Sequence, residues 1–138
     1  MKLFLLTLLL IDSSYLKAEN FNKSIHFFFE AEYNLLNNQM IVAGRNFENA
    51  AKYSNSEYIH ESSADFFFTI GNYKKAIKFY SNLNSLHPAN YNYIKGLYDS
   101  LMSLDRHREA RELIASSAQY NVERLSYLEA DFHYSLKD

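Results

Sequence analysis

Residues 130–138, ADFHYSLKD, are a blurred copy of residues 64–72, ADFFFTIGN. The two stretches lie 66 residues apart, about twice the length of a helical-hairpin repeat. Shorter echoes fill the interval. Ala76 and Tyr80 return 34 residues later as Ala110 and Ile114, and stand 33 residues earlier as Ala43 and Phe47. Ala64 maps back onto Ala31 and forward onto Tyr98, whose neighbour Asp99 matches Asp65. A unit of this length cannot bury its own apolar side, so copies must pile on one another. That repetition restricts the fold more than any other feature of the chain.

The 64–88 window shows what each position does. Ala64 and Ala76 are small enough for two helices to cross closely, and Phe67, Tyr73 and Tyr80 fill the space around the crossing. Gly71 tolerates positive φ and reverses the chain between the helices. Pro88 cannot continue a helix interior and forces the exit. Three glycines and one proline in 138 residues are too few for the many turns of a barrel or sandwich. With 48% apolar and 17% aromatic residues the chain has material for a core. The spacing predicts helices over 22–37, 40–53, 57–70, 73–86, 91–104, 107–119 and 122–136.

The pattern Ala64, Phe67, Gly71, Ala76, Tyr80, Pro88 resembles the tetratricopeptide repeat. His60 stands where that family often has Trp, and Ser63 where it often has Leu. The first copy has Asn34 in an aromatic place and no turn glycine; the third has Asp105 at the turn and His107 in an aromatic place. The resemblance implies an all-α, right-handed superhelical stack of antiparallel hairpins, a solenoid, closed by a C-terminal capping helix. Repeats would span 24–56, 57–90 and 91–121 within a domain of 22–138, with 122–138 as a cap or half-repeat. Ala31, Ala43, Phe47, Ala110, Ile114 and Ala130 would hold the remaining crossings.

The first eighteen residues read differently. Lys2 precedes a hydrophobic run from Leu3 to Ile11, Asp12-Ser13-Ser14 ends it, and Ala18 offers a small residue for cleavage. This is the order of a secretory signal peptide, and the run is short of the roughly 20 residues needed to span a bilayer. The expectation is export, with a periplasmic or extracellular destination; an uncleaved membrane anchor is the alternative. With no cysteine, a lipoprotein anchor, disulfides and thiolate metal sites are excluded. Removing residues 1–18 leaves 12 basic and 15 acidic side chains, a balance that offers no basic stripe to nucleic acid.

Catalytic motifs are missing. No two of His26, His60, His87, His107 and His133 lie three or four residues apart, so no helix face presents a paired metal site. There is no nucleophile elbow and no phosphate-cradling glycine loop. The expectation is a non-enzymatic protein without cofactor or metal.

The resemblance implies a concave groove lined by the first helix of each hairpin, where a peptide or partner protein binds. Groove positions one place after the small crossing residue hold Glu32, Asp65, Asp99 and Asp131, all acidic. Nearby groove positions hold Phe28, Leu35, Phe68, Met102, Tyr127 and Tyr134, and the basic residues there are Lys95 and Arg124. Such a row suits a ligand in which Lys or Arg alternates with apolar residues. Envelope assembly or secretion would be the setting. The alternative is a truncated or self-associating fragment of a longer array, growing through its C-terminal end and lacking a dedicated peptide ligand.

Overall fold

Helices account for nearly all the regular structure, because the chain carries helix-compatible apolar spacing and almost no helix breakers. The structure is a computed structural model that describes residues 2–120, 122 and 124–135, with side chains from residue 15 onward. Among the described residues there are seven α-helices: α1 (Lys2–Leu36), α2 (Met40–Lys52), α3 (Glu57–Thr69), α4 (Tyr73–Leu86), α5 (Tyr91–Met102), α6 (His107–Ser117) and α7 (Leu125–Ser135). A 3₁₀ turn, Ala118–Tyr120, follows α6, and no strand occurs among the described residues. The all-α expectation therefore holds, with α1 packed on α2, α4 on α5, α5 on α6 and α6 on α7.

Three reversals share one geometry. Asn38, Gly71 and Asp105 adopt left-handed φ values of 58°, 74° and 56°, and they stand 33 and 34 residues apart. At each, the residue's own N–H bonds back three residues and the next N–H bonds back five. The pairs are Asn38 to Leu35 with Gln39 to Asn34, Gly71 to Phe68 with Asn72 to Phe67, and Asp105 to Met102 with Arg106 to Leu101, all at 2.8–3.0 Å. This is the Schellman ending, which satisfies carbonyls a helix terminus leaves open. The residue after the left-handed one is at once the first cap of the next helix. Its carbonyl accepts from Ala43, Ala76 and Ala110 respectively. The first hairpin thus needs no glycine: Asn38 takes its place, as Asp105 does in the third, because short polar side chains tolerate this backbone.

The chain divides into two compact units, residues 1–59 and 60–138, with the division falling inside α3. In the first unit α1 and α2 run antiparallel. Phe28 meets Phe47 edge-on at 6.0 Å, and further along Ser24 donates its hydroxyl to the Ala50 carbonyl at 2.8 Å. Ala31, Ala43 and Ala50 are fully buried between the two helices. Helix α1 starts at Lys2 rather than near residue 22. No glycine or proline lies between 2 and 36, and Asp12, Ser13 and Ser14 each cost a helix only about half a kcal/mol. For the expected leader, residue 1 and the side chains of 2–14 lie outside the described residues.

In the second unit Phe67 of α3 stacks on Phe79 of α4, with centroids 5.7 Å apart and planes inclined by 5°. Ala64 and Ala76 are fully buried at this crossing, and Lys75 lays its ammonium 4.9 Å from the Phe67 ring centre. Tyr73 meets Phe68 edge-on at the turn. Helix α4 ends at Leu86, Pro88 follows in the connection, and Asn90 caps α5 by accepting from the Asn92 N–H at 3.0 Å. Helix α4 packs on α5, α5 on α6, α6 on α7, and α5 also touches α7. Tyr93, Ile94, Leu97, Tyr98, Leu101, Ala110, Leu113, Ile114, Leu125, Leu128 and Phe132 form its continuing core.

Candidate interaction site

Three of the four acids expected in a row lie in the second unit, one on each of α3, α5 and α7. Each is held by a neighbour. The Tyr80 hydroxyl donates to Asp65 Oδ1. The Tyr98 hydroxyl donates to Asp131 Oδ2 at 2.7 Å. Lys95 pairs with Asp99 one turn along α5. Tyr98 and Asp131 stand 33 residues apart, and this bond links α5 to α7.

The two tyrosines register the row electrically. Burial pushes both hydroxyls well above the ordinary tyrosine value, and their hydrogen bonds to Asp65 and Asp131 push them further. The charge of Asp99 acts on both hydroxyls, and that of Glu61 on Tyr80. Asp99 therefore stands near enough to both hydroxyls for its charge to act on them. A phenol in such a field stays protonated and acts as a donor. Each donor occupies one carboxylate oxygen; the other oxygen of Asp65, Asp99 and Asp131 has no hydrogen-bond partner among the described residues. Asp65 and Asp131 are exposed and Asp99 is half-buried. A cation arriving from solvent meets three acidic acceptors already fixed in position.

Tyr80 owes its place to Gly96. A β-carbon at Gly96 would stand 2.4–2.8 Å from three atoms of the Tyr80 ring, so only a glycine lets the ring lie on α5. The sequence reading missed Gly96 and the role of Tyr98. Tyr98 sits where a small residue was expected; its ring is fully buried, and its hydroxyl reaches Asp131.

The other expected residues distribute as follows. Glu32 and Leu35 are half-buried on α1, in the first unit. Phe28 was expected on a groove but is core: it is 8% exposed, packed against Phe47 and Tyr58. Phe68 and Met102 are half-buried, and Lys95 and Arg124 are exposed. Tyr127 and Tyr134 are 67% and 77% exposed. Among the structural positions, Ala31, Ala43, Phe47, Ala64, Phe67, Ala76, Tyr80, Ala110 and Ile114 are buried. Ala130 is exposed, because no helix follows α7 among the described residues to cross it.

Elsewhere, a cavity of about 380 Å³ lies over α5 between α4 and α6. Its floor is Ile77, Leu97, Leu101 and Leu113, and Arg106, paired with Glu109, stands at its rim. A second, of about 190 Å³, lies between α6 and α7. No group of three or more potential metal ligands occurs among the described residues. No helix among them is long and apolar enough to cross a membrane. No protein-family model matches the chain, and no curated protein matches it either.

Proposed function

We propose that the chain is a non-enzymatic, tetratricopeptide-like scaffold that binds a peptide or partner protein along the row Asp65, Asp99 and Asp131. The observation that carries this reading is the row itself: three carboxylates on three successive first helices, fixed by Tyr80, Lys95 and Tyr98 yet each with an oxygen left for a ligand. The turn geometry repeated at Asn38, Gly71 and Asp105 supports a superhelical stack of hairpins, because identical joints at a regular interval build a solenoid. The ligand is a segment in which Lys or Arg alternates with apolar side chains. Its cations meet the free carboxylate oxygens, and its apolar groups meet Phe68 and Met102. Residues 1–18 serve as an export leader, which places the scaffold in the periplasm or outside the cell, in envelope assembly or secretion.

Lys95 sharpens the test, because a ligand cation competes with it for Asp99. Titration of a fluorescent Lys/Leu peptide should give tighter binding to Lys95→Ala than to the parent chain. Asp65→Asn and Asp131→Asn keep an oxygen for their tyrosine and remove only the charge, so they should weaken binding without unfolding. Unchanged affinity in all three variants would end the proposal.

A further inference from the structure

Helix α5 carries the carboxylate row on one side and a cavity on the other. Leu97 and Leu101 stand two residues before and after Asp99, about 160° round the helix from it. They form the floor of the cavity of about 380 Å³, with Ile77 of α4 on one wall and Leu113 of α6 on the other. Leu97, Leu101 and Leu113 are buried and Ile77 is half-buried. The backbone N–H of Arg106 bonds to the Leu101 carbonyl at 3.0 Å, which fixes the start of the α6 wall over that end of the floor. All three helices lie inside the second unit.

Size, lining and charge each narrow what fits. Small-molecule sites measure about 300–1,000 Å³, and at the roughly 30 Å³ a water takes, this cavity holds on the order of a dozen non-hydrogen atoms. From Arg106 to Ser116 the α6 wall runs about 15 Å, so the space is long rather than round. No aromatic residue lines it, so a flat ring would find nothing to stack on and an alkyl chain packs better. Charge sits on the α6 wall alone. Arg106 gives two donors to Glu109, at 2.7 and 2.6 Å, and the two cancel. Glu112 faces Arg108 at 3.4 Å, but both are largely exposed, and such a pair is weak. One loosely held anion beside an aliphatic floor is complementary to a cationic head with an aliphatic tail.

We infer that this cavity binds a free, single-chain cationic amphiphile, in the simplest case an alkylammonium ion. Its tail lies along Ile77, Leu97, Leu101 and Leu113. Its ammonium donates to Glu112 and displaces Arg108 into solvent. Ser81 on the α4 wall and Ser116 on the α6 wall are small and leave the tail room. The site shares no residue with the carboxylate row and does not rest on that reading.

Calorimetric titration of hexyl-, octyl- and decylammonium into the full chain tests this. Each added methylene should tighten binding about two- to fourfold, the range from half to full burial. Octanoate should bind the parent chain more weakly than octylammonium, and Glu112→Lys should reverse that order. Ser81→Trp and Ser116→Phe each put a ring into the cavity from an exposed wall position. Either should weaken octylammonium at least about tenfold, with far-UV circular dichroism and thermal unfolding confirming that the fold is kept. Affinity that ignores chain length, or that both ring substitutions leave unchanged, would overturn the inference, because the amine would then sit elsewhere, as on the carboxylate row. Octanoate binding as tightly as octylammonium would overturn the cationic head. An amphipathic helical peptide that binds the parent chain but not Ser81→Trp, with no amine binding at all, would give the groove to a protein partner and overturn the amphiphile.

Discussion

Gly96→Ala should destabilise the chain although it replaces the second-worst helix former with the best. On propensity alone the change is worth about 1 kcal/mol in favour of the alanine. Against it stands geometry: the new methyl would lie 2.4, 2.5 and 2.8 Å from Cζ, Cε1 and Cε2 of Tyr80. The ring is only 6% exposed, and its hydroxyl is tied to Asp65, so it cannot swing aside without cost. Overpacking of this kind costs about 1–3 kcal/mol. Giving up the bond to Asp65 adds about 1 kcal/mol, at the low end because Asp65 is exposed and water can replace the donor. The net is a loss of about 2 kcal/mol, or roughly 10 °C in Tm for a unit of this size. Thermal and urea unfolding followed by circular dichroism give the value. The control is the same substitution in a Tyr80→Leu background, where the space is vacated and the alanine should now stabilise by about 1 kcal/mol. A rise in Tm on Gly96→Ala in the parent chain, or the same effect in both backgrounds, would refute the assigned contact.

Other consequences follow from the same local geometry. Tyr80 and Tyr98 titrate higher folded than unfolded, so their contribution is fully present below the ordinary tyrosine value near 10 and is lost as pH rises toward their folded values. The urea midpoint should therefore fall between pH 9 and 11, and the double variant Tyr80→Phe with Tyr98→Phe should flatten that fall. Gly71→Ala should cost about 1 kcal/mol in thermal unfolding, since φ is +74° and nothing but the backbone objects. Asp105→Gly should gain by a similar argument, and a loss there would show that the aspartate side chain holds the turn. Asn34 is 6% exposed in the first unit, with its amide donating to the Glu30 carbonyl at 2.6 Å, whereas the third copy has Leu101 in its place. Asn34→Leu should stabilise that unit by about 1 kcal/mol in urea.

The helix boundaries were legible because apolar spacing and turn chemistry agree. From α2 onward the expected starts stand within three residues of those found, and five of the six coincide. The reversals at 38–39 and 105–106 were placed although neither holds a glycine. Asn38 and Asp105 do the same work, and their interval from Gly71 was visible in the sequence all along. Phe28 was misplaced because transferring a position from one repeat to another ignores what its neighbours are: Phe47 and Tyr58 take it into the core. The row of acids could be found by interval alone. The donors that hold it could not, because Tyr80 reaches Asp65 across a turn and Tyr98 reaches Asp131 across a repeat. Nor does sequence show that Ala130, identical in type to Ala64, is left uncovered; that depends on which helix comes next.

The most direct test of the account is a calorimetric titration of a peptide alternating lysine and leucine into the folded chain, at low and at high salt. The account predicts measurable binding that weakens as salt screens the carboxylates, and that is lost when Asp65, Asp99 and Asp131 are all changed to Asn. Binding that ignores both salt and the triple substitution, or no binding at any salt, would contradict it.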